Sequence, residues 1–412
     1  MSTKWKEEAN YVGIAKAREN AAMHALREVV QKSPGMEIWR NARVFGRPLK
    51  IYDLNGKTLF WQFPLVRKNQ MVGRILTSAS KVLGAPVYSM QLGPRKWDLR
   101  KATDKAIEQA RKIHRRSRIQ STRVVCYSYP KMGISVRFKD TRGRVRRVIV
   151  DAADYHVVPE EPPKPDMEGT GMYSLYNSIP MNQRKDLVEN WEKSASVLEK
   201  ARTESAIDIT KTFTAQRLQT IDVNTMSTAI ISWFKIGSKV VTFCPHTGPH
   251  SHPTATGLSI FPYIETPLCF ELHGQTDPVW CAVATGQMIL DWWRYYSDQN
   301  DIATAMGTGA SGTYNSGQVN GYESLSNNQL DATYDTNATW TKARDEINEN
   351  RPLKSGIPGH ARACAGWKRW GTEKWLYIYD PWPPDPSGDG GSVYWENWDT
   401  VTHTNFIFVR RA

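Results

Sequence analysis

The sequence predicts an α+β protein: a smaller helix-and-hairpin unit, followed by a larger unit in which one helix packs on an antiparallel sheet. The chain has 412 residues, more than one ordinary domain holds. Its residues are 40% hydrophobic and 11% aromatic, enough to bury substantial cores. Residues 1–160 carry 33 Lys and Arg against 13 Asp and Glu, whereas residues 161–412 carry 21 against 28. Such a change of charge is typical of separate modules with complementary fields.

Residues 1–160 alternate between helical periodicity and hairpin patterns. Apolar residues recur at helical spacing over 6–31 until Pro34-Gly35, and Asn55-Gly56 marks a tight turn between two strands. The predicted elements are helices at 6–31, 71–83 and 98–119, and strands at 49–53, 58–63, 124–129, 134–139 and 145–150. We therefore predict a basic α+β domain over residues 1–160.

A proline-rich stretch at 159–165 has the composition of a stiff, exposed linker. We predict a connector over 161–228 that contains a helix at 182–200. A second domain then covers 229–412 and begins with strands at 230–236 and 239–243. Within it, the Gly, Ser, Asn and Thr content of residues 301–335 predicts flexible surface loops.

Cys281 occupies a position that suits a nucleophile. The residues after it, Ala-Val-Ala-Thr-Gly-Gln-Met-Ile-Leu, predict a helix, and Pro278 fits the loop before that helix. Cys281 would then lie at the helix N-terminus, where the macrodipole favours a thiolate. The sequence thus predicts a reactive thiol at this position.

Three further residues supply the groups that a thiol nucleophile needs. His360 stands before one apolar run and Asp380 closes another, so two buried strands would bring base and orienting residue together. Asp380 would fix the tautomer of His360 that faces Cys281. Gln275 would offer its side-chain amide, and Cys281 its backbone N–H, to a developing oxyanion. The four residues predict a cysteine hydrolase.

These motifs resemble a known group of enzymes. Gln275-x5-Cys281, then Gly359-His360-Ala361-x4-Gly366-Trp367, then an apolar run into Asp380-Pro381-Trp382, resembles the papain-like cysteine peptidases. The branch of bacteriocin-processing, double-glycine peptidases is the most similar, over roughly residues 260–412. The resemblance implies a papain-like catalytic domain in which Cys281 is the nucleophile, His360 the general base and acid, Asp380 the orienting residue and Gln275 the oxyanion donor. It implies a peptide or protein substrate and no cofactor.

The residues leave alternative functions open. Many members of that branch have Cys-Gly-Pro at the nucleophile, whereas this chain has Cys281-Ala282-Val283, so double-glycine specificity does not follow. The same four residues would serve an amidase or endopeptidase acting on cell-wall peptides, or a transpeptidase, with the basic half holding an anionic envelope polymer. A catalytically silent peptide- or envelope-binding protein is an alternative of another class.

The first unit resembles the propeptide-type domains that precede secreted peptidases. The resemblance rests on Tyr52-Asp-Leu-Asn-Gly-Lys-Thr-Leu-Phe-Trp-Gln-Phe-Pro64, followed by Val72-Gly-Arg-Ile and Ala79-x3-Leu-Gly84. The charge difference between two modules joined by a Pro-rich linker predicts that they associate, and the resemblance points the same way. We therefore predict a zymogen in which residues 1–160 fold separately, aid folding and restrain the catalytic domain as an intramolecular partner until cleavage between about 160 and 230. A permanent scaffold domain is the alternative. We expect a secreted or envelope-associated protein, with the cytoplasm as the alternative because the first residues lack an apolar signal region.

Other patterns give weaker expectations. Cys244, His246, His250 and His252 are potential metal ligands, but their spacing matches no usual zinc site, so no metal is predicted. The five cysteines are few for a disulfide scaffold. The basic helix at 98–119 lacks interleaved aromatic residues, which favours a solvated face or a docking patch over nucleic-acid binding. No apolar run is long enough for a transmembrane segment.

Overall fold

The computed structural model describes residues 9–31, 33–40, 42–44, 47–113, 115, 118–204, 239–242, 244–245 and 269–412. The helices are α1 Ile14–Gln31, α2 Leu99–Ile113, α3 Leu175–Ser178, α4 Arg184–Glu204, α5 Cys281–Trp292, α6 Gln299–Ala305, α7 Asn315–Leu325 and α8 Trp340–Asn348. The predicted strand at 230–236 lies outside the described residues.

The strands divide between the two halves of the chain. Those of the first half are β1 Arg43–Val44, β2 Leu49–Asp53, β3 Thr58–Arg67, β4 Gln70–Ser78, β5 Val87–Leu92, β6 Arg118–Ser128, β7 Lys131–Lys139 and β8 Val145–Asp151. The later ones are β9 Met167–Gly169, β10 Lys239–Thr242, β11 Cys244–Pro245, β12 Cys269–Phe270, β13 Gly312–Tyr314, β14 Leu330–Asp335, β15 Leu353–Ile357, β16 His360–Trp370, β17 Glu373–Asp380, β18 Ser392–Asn397 and β19 Asn405–Arg411. The α+β class is confirmed.

One sheet runs through both halves. Its order is β14-β19-β15-β16-β17-β18-β5-β4-β3-β2-β6-β7-β8, with β1 added beside β3 and β10 beside β16. The junction is the antiparallel pair of β18 and β5, in which Tyr394 faces Gln91 and Glu396 faces Ser89. The domain boundaries at 160 and 229 stay a prediction about folding units, but the hydrogen-bonded sheet crosses them.

The hairpin predictions hold. Asp53 N donates to Lys57 O at 2.9 Å across the turn of β2 and β3, and Gly56 takes a φ of 86° that suits glycine. The helix predicted at 71–83 is wrong, because β4 occupies most of it. That strand lies between β3 and β5 and is buried on both faces, so its apolar residues do not alternate.

The flexible loops predicted at 301–335 are also wrong. Helices α6 and α7 and strands β13 and β14 fill this region. Two of its glycines sit where helices touch: a Cβ on Gly317 would lie 2.2 Å from Met306 O, and one on Gly321 would lie 2.4 Å from Met306 Cγ. Glycine here permits close packing.

Helix α1 joins the two halves through buried charges. Arg27 Nη1 donates to Glu373 Oε2 at 2.7 Å, and the Lys368 ammonium pairs with the Glu28 carboxylate. All four side chains are buried. Lys368 lies on β16 and Glu373 on β17. These ion pairs therefore fix α1 to the strands that carry His360 and Asp380. By contrast, Arg111 and Lys112 of α2 are exposed, as a solvated basic face requires.

Candidate active site

Cys281 is the first residue of α5. The chain reaches it through a tight turn in which Trp280 N donates to Asp277 O at 3.1 Å and Val279 N donates to Asp277 Oδ1 at 3.0 Å. The N–H groups of a first helical turn have no carbonyl partner within the helix, and they carry its positive dipole end. The predicted helix and the position of Cys281 are thus confirmed.

His360 begins β16 and Asp380 ends β17, as predicted. The two strands pair antiparallel, with Ala363 opposite Tyr379, so the end of one lies beside the start of the other. His360 Nε2 lies 2.8 Å from Asp380 Oδ1. This bond leaves Nδ1 of the imidazole for the Cys281 thiol.

The three groups shift one another's pKa values. Burial alone would raise the pKa of Cys281, but hydrogen bonding to His360 and the charge of its imidazolium bring that pKa below its ordinary value of 9.0. Burial would lower the pKa of His360, and Asp380 and Cys281 together raise it above 6.5. The pKa of Asp380, which burial would raise, is held below its usual value chiefly by His360. These directions favour a thiolate–imidazolium pair beside a carboxylate.

Further residues orient Asp380. Tyr394 Oη donates to Asp380 Oδ2 at 2.6 Å, and Trp382 N donates to Oδ1 at 2.8 Å. Behind Tyr394, the buried Arg362 guanidinium pairs with the Glu396 carboxylate. Sequence reasoning missed this layer. The available signal was a charged residue two positions after His360, on the same face of a strand whose other residues from 361 to 366 are all small (Ala361, Ala363, Cys364, Ala365 and Gly366).

Gln275 lies beside the same turn but points its donors elsewhere. Its Nε2 donates to Asp277 O at 2.7 Å and to Pro278 O at 2.8 Å, which uses both amide hydrogens. Its buried Oε1 has no partner among the described residues. If the oxygen and nitrogen of the Gln275 amide exchanged positions, the oxygen would face two carbonyl oxygens and repel them. The nitrogen is therefore assigned to the side that faces Asp277 and Pro278. In this conformation Gln275 braces the turn before Cys281.

The site is closed. Gln275, Cys281, His360 and Asp380 are all 0% exposed. Two contacts to the N-terminal half cover it: Ser128 Oγ donates to Pro358 O at 3.5 Å, and Trp382 Nε1 donates to Asp151 Oδ2 at 3.2 Å. Lys131 adds a third, since its Nζ donates to Gly359 O at 3.4 Å next to His360. A peptide therefore reaches the thiol only after part of this cover moves.

The described residues offer little for a metal. Two groups bring three ligand atoms together, namely Asp151, Asp154 and His156, and Glu271, His273 and Asp291. In each, the histidine is already paired with a carboxylate, at 2.5 and 2.6 Å. His246, His250 and His252 lie outside the described residues, as does the side chain of Cys244. Cys126, Cys281 and Cys364 are free thiols. Among the described residues, no helix is both long and apolar enough to cross a bilayer.

Comparisons with known proteins agree with the resemblance. A sequence model described as the Peptidase_C39 like family matches residues 264–403. This segment is thus similar to papain-like peptidases of the double-glycine, bacteriocin-processing type, as predicted, and the similarity supports a cysteine peptidase. No curated protein matches the chain by sequence.

Two solved structures align with part of the chain. The peptidase domain of Streptococcus ComA, a bi-functional ABC transporter involved in a quorum sensing pathway, aligns with a TM-score of 0.27 and 17% identity over 35% of this chain and 99% of that domain. A double glycine motif protease from an AMS/PCAT transporter, in complex with the leader peptide, aligns with a TM-score of 0.26 and 15% identity over 34% of this chain and 91% of that protein.

Proposed function

We propose that the protein is a cysteine peptidase that hydrolyses peptide bonds through a thioester on Cys281. One observation carries the proposal: a buried thiol at a helix N-terminus interacts with His360, whose Nε2 is bonded to Asp380. This is the nucleophile, base and orienting group that acyl transfer needs. The lowered pKa of Cys281 supports it.

In the proposed reaction the Cys281 thiolate attacks the carbonyl carbon, and the carbonyl electron pair moves to oxygen. The oxyanion accepts hydrogen bonds from the backbone N–H of Cys281 and from the Gln275 amide, which turns one N–H from the 277–278 carbonyls towards it. The C–N bond breaks as the His360 imidazolium protonates the leaving amine. Water then gives a proton to His360 and attacks the thioester, the C–S bond breaks, and an acid and the thiolate are released.

We also propose that the N-terminal half restrains the enzyme until cleavage between about 160 and 230. The burial of all four residues supports this restraint, as do the contacts of Ser128, Lys131 and Asp151 with the turns that flank His360 and Asp380. A scaffold domain that is never removed would make the same contacts. Activity that appears only after a cut in this range distinguishes the two.

The experiment is active-site labelling. A peptide-based, thiol-directed covalent probe is added to the full chain, and the adduct is mapped by mass spectrometry. We expect label on Cys281, and its loss in Cys281→Ala and in His360→Ala. Cys364 is the internal control, because it is equally buried but burial raises its pKa to about 12. Label spread over Cys126 and Cys364, or unchanged in His360→Ala, contradicts the assignment.

Turnover is measured on the same proteins with a peptide library. Cys281→Ala should abolish hydrolysis, whereas Asp380→Ala should leave part of it. Gln275→Ala should lower kcat by about 10²–10³, as removal of an oxyanion donor does elsewhere. If Gln275 only braces the turn, that variant loses thermal stability and keeps kcat. If neither labelling nor turnover is observed, the result contradicts the peptidase and favours a catalytically silent binding protein.

A further inference from the structure

Residues 166–171 form an extended strand that lies along the catalytic half, which here means residues 269–412. Strand β9 pairs antiparallel with β13, with Glu168 opposite Thr313 and Gly169 opposite Gly312. The pairing continues on both sides, because Asn315 N donates to Asp166 O at 2.9 Å and Thr170 N donates to Ser311 O at 3.0 Å. Addition of a strand to an exposed edge is a common way for a protein to hold an extended peptide.

The side chain of Glu168 enters a fully buried polar pocket. Its Oε1 accepts from Lys354 Nζ at 2.5 Å and from Asn405 Nδ2 at 3.3 Å, and its Oε2 accepts from Gln318 Nε2 at 2.6 Å. Glu168 is 2% exposed, and Lys354 and Gln318 are 0% exposed. Every pocket residue belongs to the catalytic half, and only the carboxylate comes from the segment before it.

The pocket favours a negative charge. An ammonium has three N–H donors, and Lys354 directs them to Glu168, to Asn315 Oδ1 at 2.7 Å and to Asn405 Oδ1 at 2.5 Å. Two of these acceptors are neutral amides. If the segment leaves, the described residues offer no carboxylate in its place, and a buried ammonium without a counter-charge is strongly unfavourable. A peptide that replaces the segment should therefore bind best when it brings an acid to the position of Glu168.

The position after the acid accepts only glycine. Gly169 has a φ of 155°, and a Cβ there would lie 2.3 Å from Ser311 O and 2.5 Å from Gly312 Cα. Both neighbours are backbone atoms, so they have little freedom to move aside. A side chain at this position would therefore push the strand away from β13.

The segment lies beside the reactive thiol. Gly169 N donates to Gly359 O at 3.3 Å, directly before His360. Lys131 Nζ donates to Gly169 O at 2.7 Å, and its charge helps to lower the pKa of Cys281. The acid pocket and the glycine cradle therefore belong to the same cleft as the thiol.

We infer that residues 166–171 occupy the substrate cleft as an internal peptide, and that Lys354 selects substrates with an acidic residue directly before a glycine. This inference rests on the proposed peptidase function and adds its substrate class. Lys354 is then a specificity-determining residue, and Glu168 is the charge that a substrate must displace.

The test is a binding measurement that needs no catalysis. The full chain with Cys281→Ala and Glu168→Gln is titrated with a capped, fluorescent peptide of residues 167–171, Met-Glu-Gly-Thr-Gly. Two matched peptides carry Gln in place of Glu, or Ala in place of the first Gly. We expect the parent peptide to bind about 10- to 100-fold more tightly than the Gln peptide, as loss of a hydrogen-bonded charge predicts. The Ala peptide should also bind at least about tenfold more weakly, because of the backbone clash.

Lys354→Met in the same chain should remove the difference between the Glu and Gln peptides. The peptide substitutions leave the protein unchanged, so the test survives even if this variant folds poorly. In the chain that keeps Cys281, Glu168→Gln should speed labelling of the thiol about tenfold, again by loss of a charged hydrogen bond. The exposed Glu161→Gln is the control and should leave labelling unchanged.

The acidic pocket and the peptidase activity can be contradicted separately. Equal binding of the Glu and Gln peptides, or no binding of any of the three, overturns the acidic pocket even if Cys281 is labelled and peptides are cut. Selective binding of the Glu peptide without any hydrolysis supports the pocket and overturns the peptidase.

Discussion

Asp380 accepts three hydrogen bonds in a site that excludes water, from His360, Tyr394 and the backbone of Trp382. Each bond favours the ionised carboxylate, and the carboxylate in turn favours the charged imidazole. Arg362 strengthens this effect from behind, since its charge also lowers the pKa of Asp380. At the scale of residues, the reactivity of Cys281 is therefore set by groups two and three contacts away.

The first prediction concerns pH. Because the pKa of Cys281 is lowered from 9.0, its alkylation by iodoacetamide should already be fast well below pH 9. Peptide hydrolysis should rise as Cys281 loses its proton and fall again as the imidazolium loses its own, above pH 6.5. In His360→Ala the alkylation curve should move to higher pH, since burial then dominates. An unmoved curve would show that His360 does not act on the thiol.

The second prediction concerns Tyr394, which positions Asp380. Tyr394→Phe removes one donor from a buried carboxylate, so kcat should fall about tenfold with KM nearly unchanged, as loss of a charged hydrogen bond implies. The alkaline limb of the pH profile should shift to higher pH, because a carboxylate that loses one donor keeps more of its negative charge for the imidazolium. Loss of thermal stability with an unchanged pH profile would mean a purely structural role.

At the scale of elements, the connection between β6 and β7 stands out, because it places Lys131 between the N-terminal half and the catalytic strands. Lys131 is buried, and its ammonium binds the carbonyls of Gly169 and Gly359. One side chain thereby holds the internal strand and also acts on the thiol through its charge. The β6–β7 hairpin therefore affects both the closure of the cleft and the reactivity of Cys281.

Lys131→Met should separate these two effects. Loss of the charge raises the pKa of Cys281, so alkylation at neutral pH should be slower than in the wild type. Loss of the bond to Gly169 loosens the cover, so alkylation well above pH 9 should be faster than in the wild type. Lys139→Met, on the exposed end of the same strand, is the matched control and should change neither. A single uniform change in rate at all pH values would contradict the dual role.

The elements also show what sequence patterns could foresee. Asn55-Gly56 and the run after Cys281 predicted a hairpin and a helix because their signals are local. The pattern of β4 wrongly predicts a helix, because burial on both faces removes the alternation of apolar and polar residues that identifies a strand. The order of Gln275, Cys281, His360 and Asp380 predicts the candidate site, whereas no pattern points to Lys131 or Glu168. Lys131 contacts Gly359, and Glu168 contacts Lys354, across more than a hundred positions of sequence, and no local pattern encodes such contacts.

At the scale of the whole molecule, charged residues from both halves pair in the buried core. The basic face of α2 stays in solvent, whereas Arg27, Glu28, Lys368 and Glu373 pair in the core. Such pairs are costly to break one partner at a time, because the other charge then remains buried. They explain how two units of different composition share one sheet.

His24, in the same core, predicts a pH dependence of stability. Burial, followed by the charge of Arg27, lowers the pKa of His24 from 6.5 to about 4, so the folded state resists its protonation. The stability that the neutral, buried His24 contributes is fully present above pH 6.5 and is lost as pH falls towards 4. The loss should amount to about 3 kcal/mol of the free energy of unfolding.

Urea denaturation of wild type and His24→Gln at pH 7 and pH 4 measures this difference. His360 has a raised pKa and contributes with the opposite sign, but it is present in both proteins and cancels. The variant should lose less stability on acidification than the wild type. Equal losses in the two proteins would contradict a neutral, buried His24.

The pairing of β5 with β18 has a consequence for maturation. A single cut in the exposed stretch 159–165 breaks the chain but not the sheet, so the nicked protein should elute as one species until denaturant is added. Residues 1–158 and 166–412, expressed together, should reassemble as complementing fragments. Either one alone would present a bare strand edge and aggregate. Activation would then consist of withdrawing one short strand from a groove, with both halves retained.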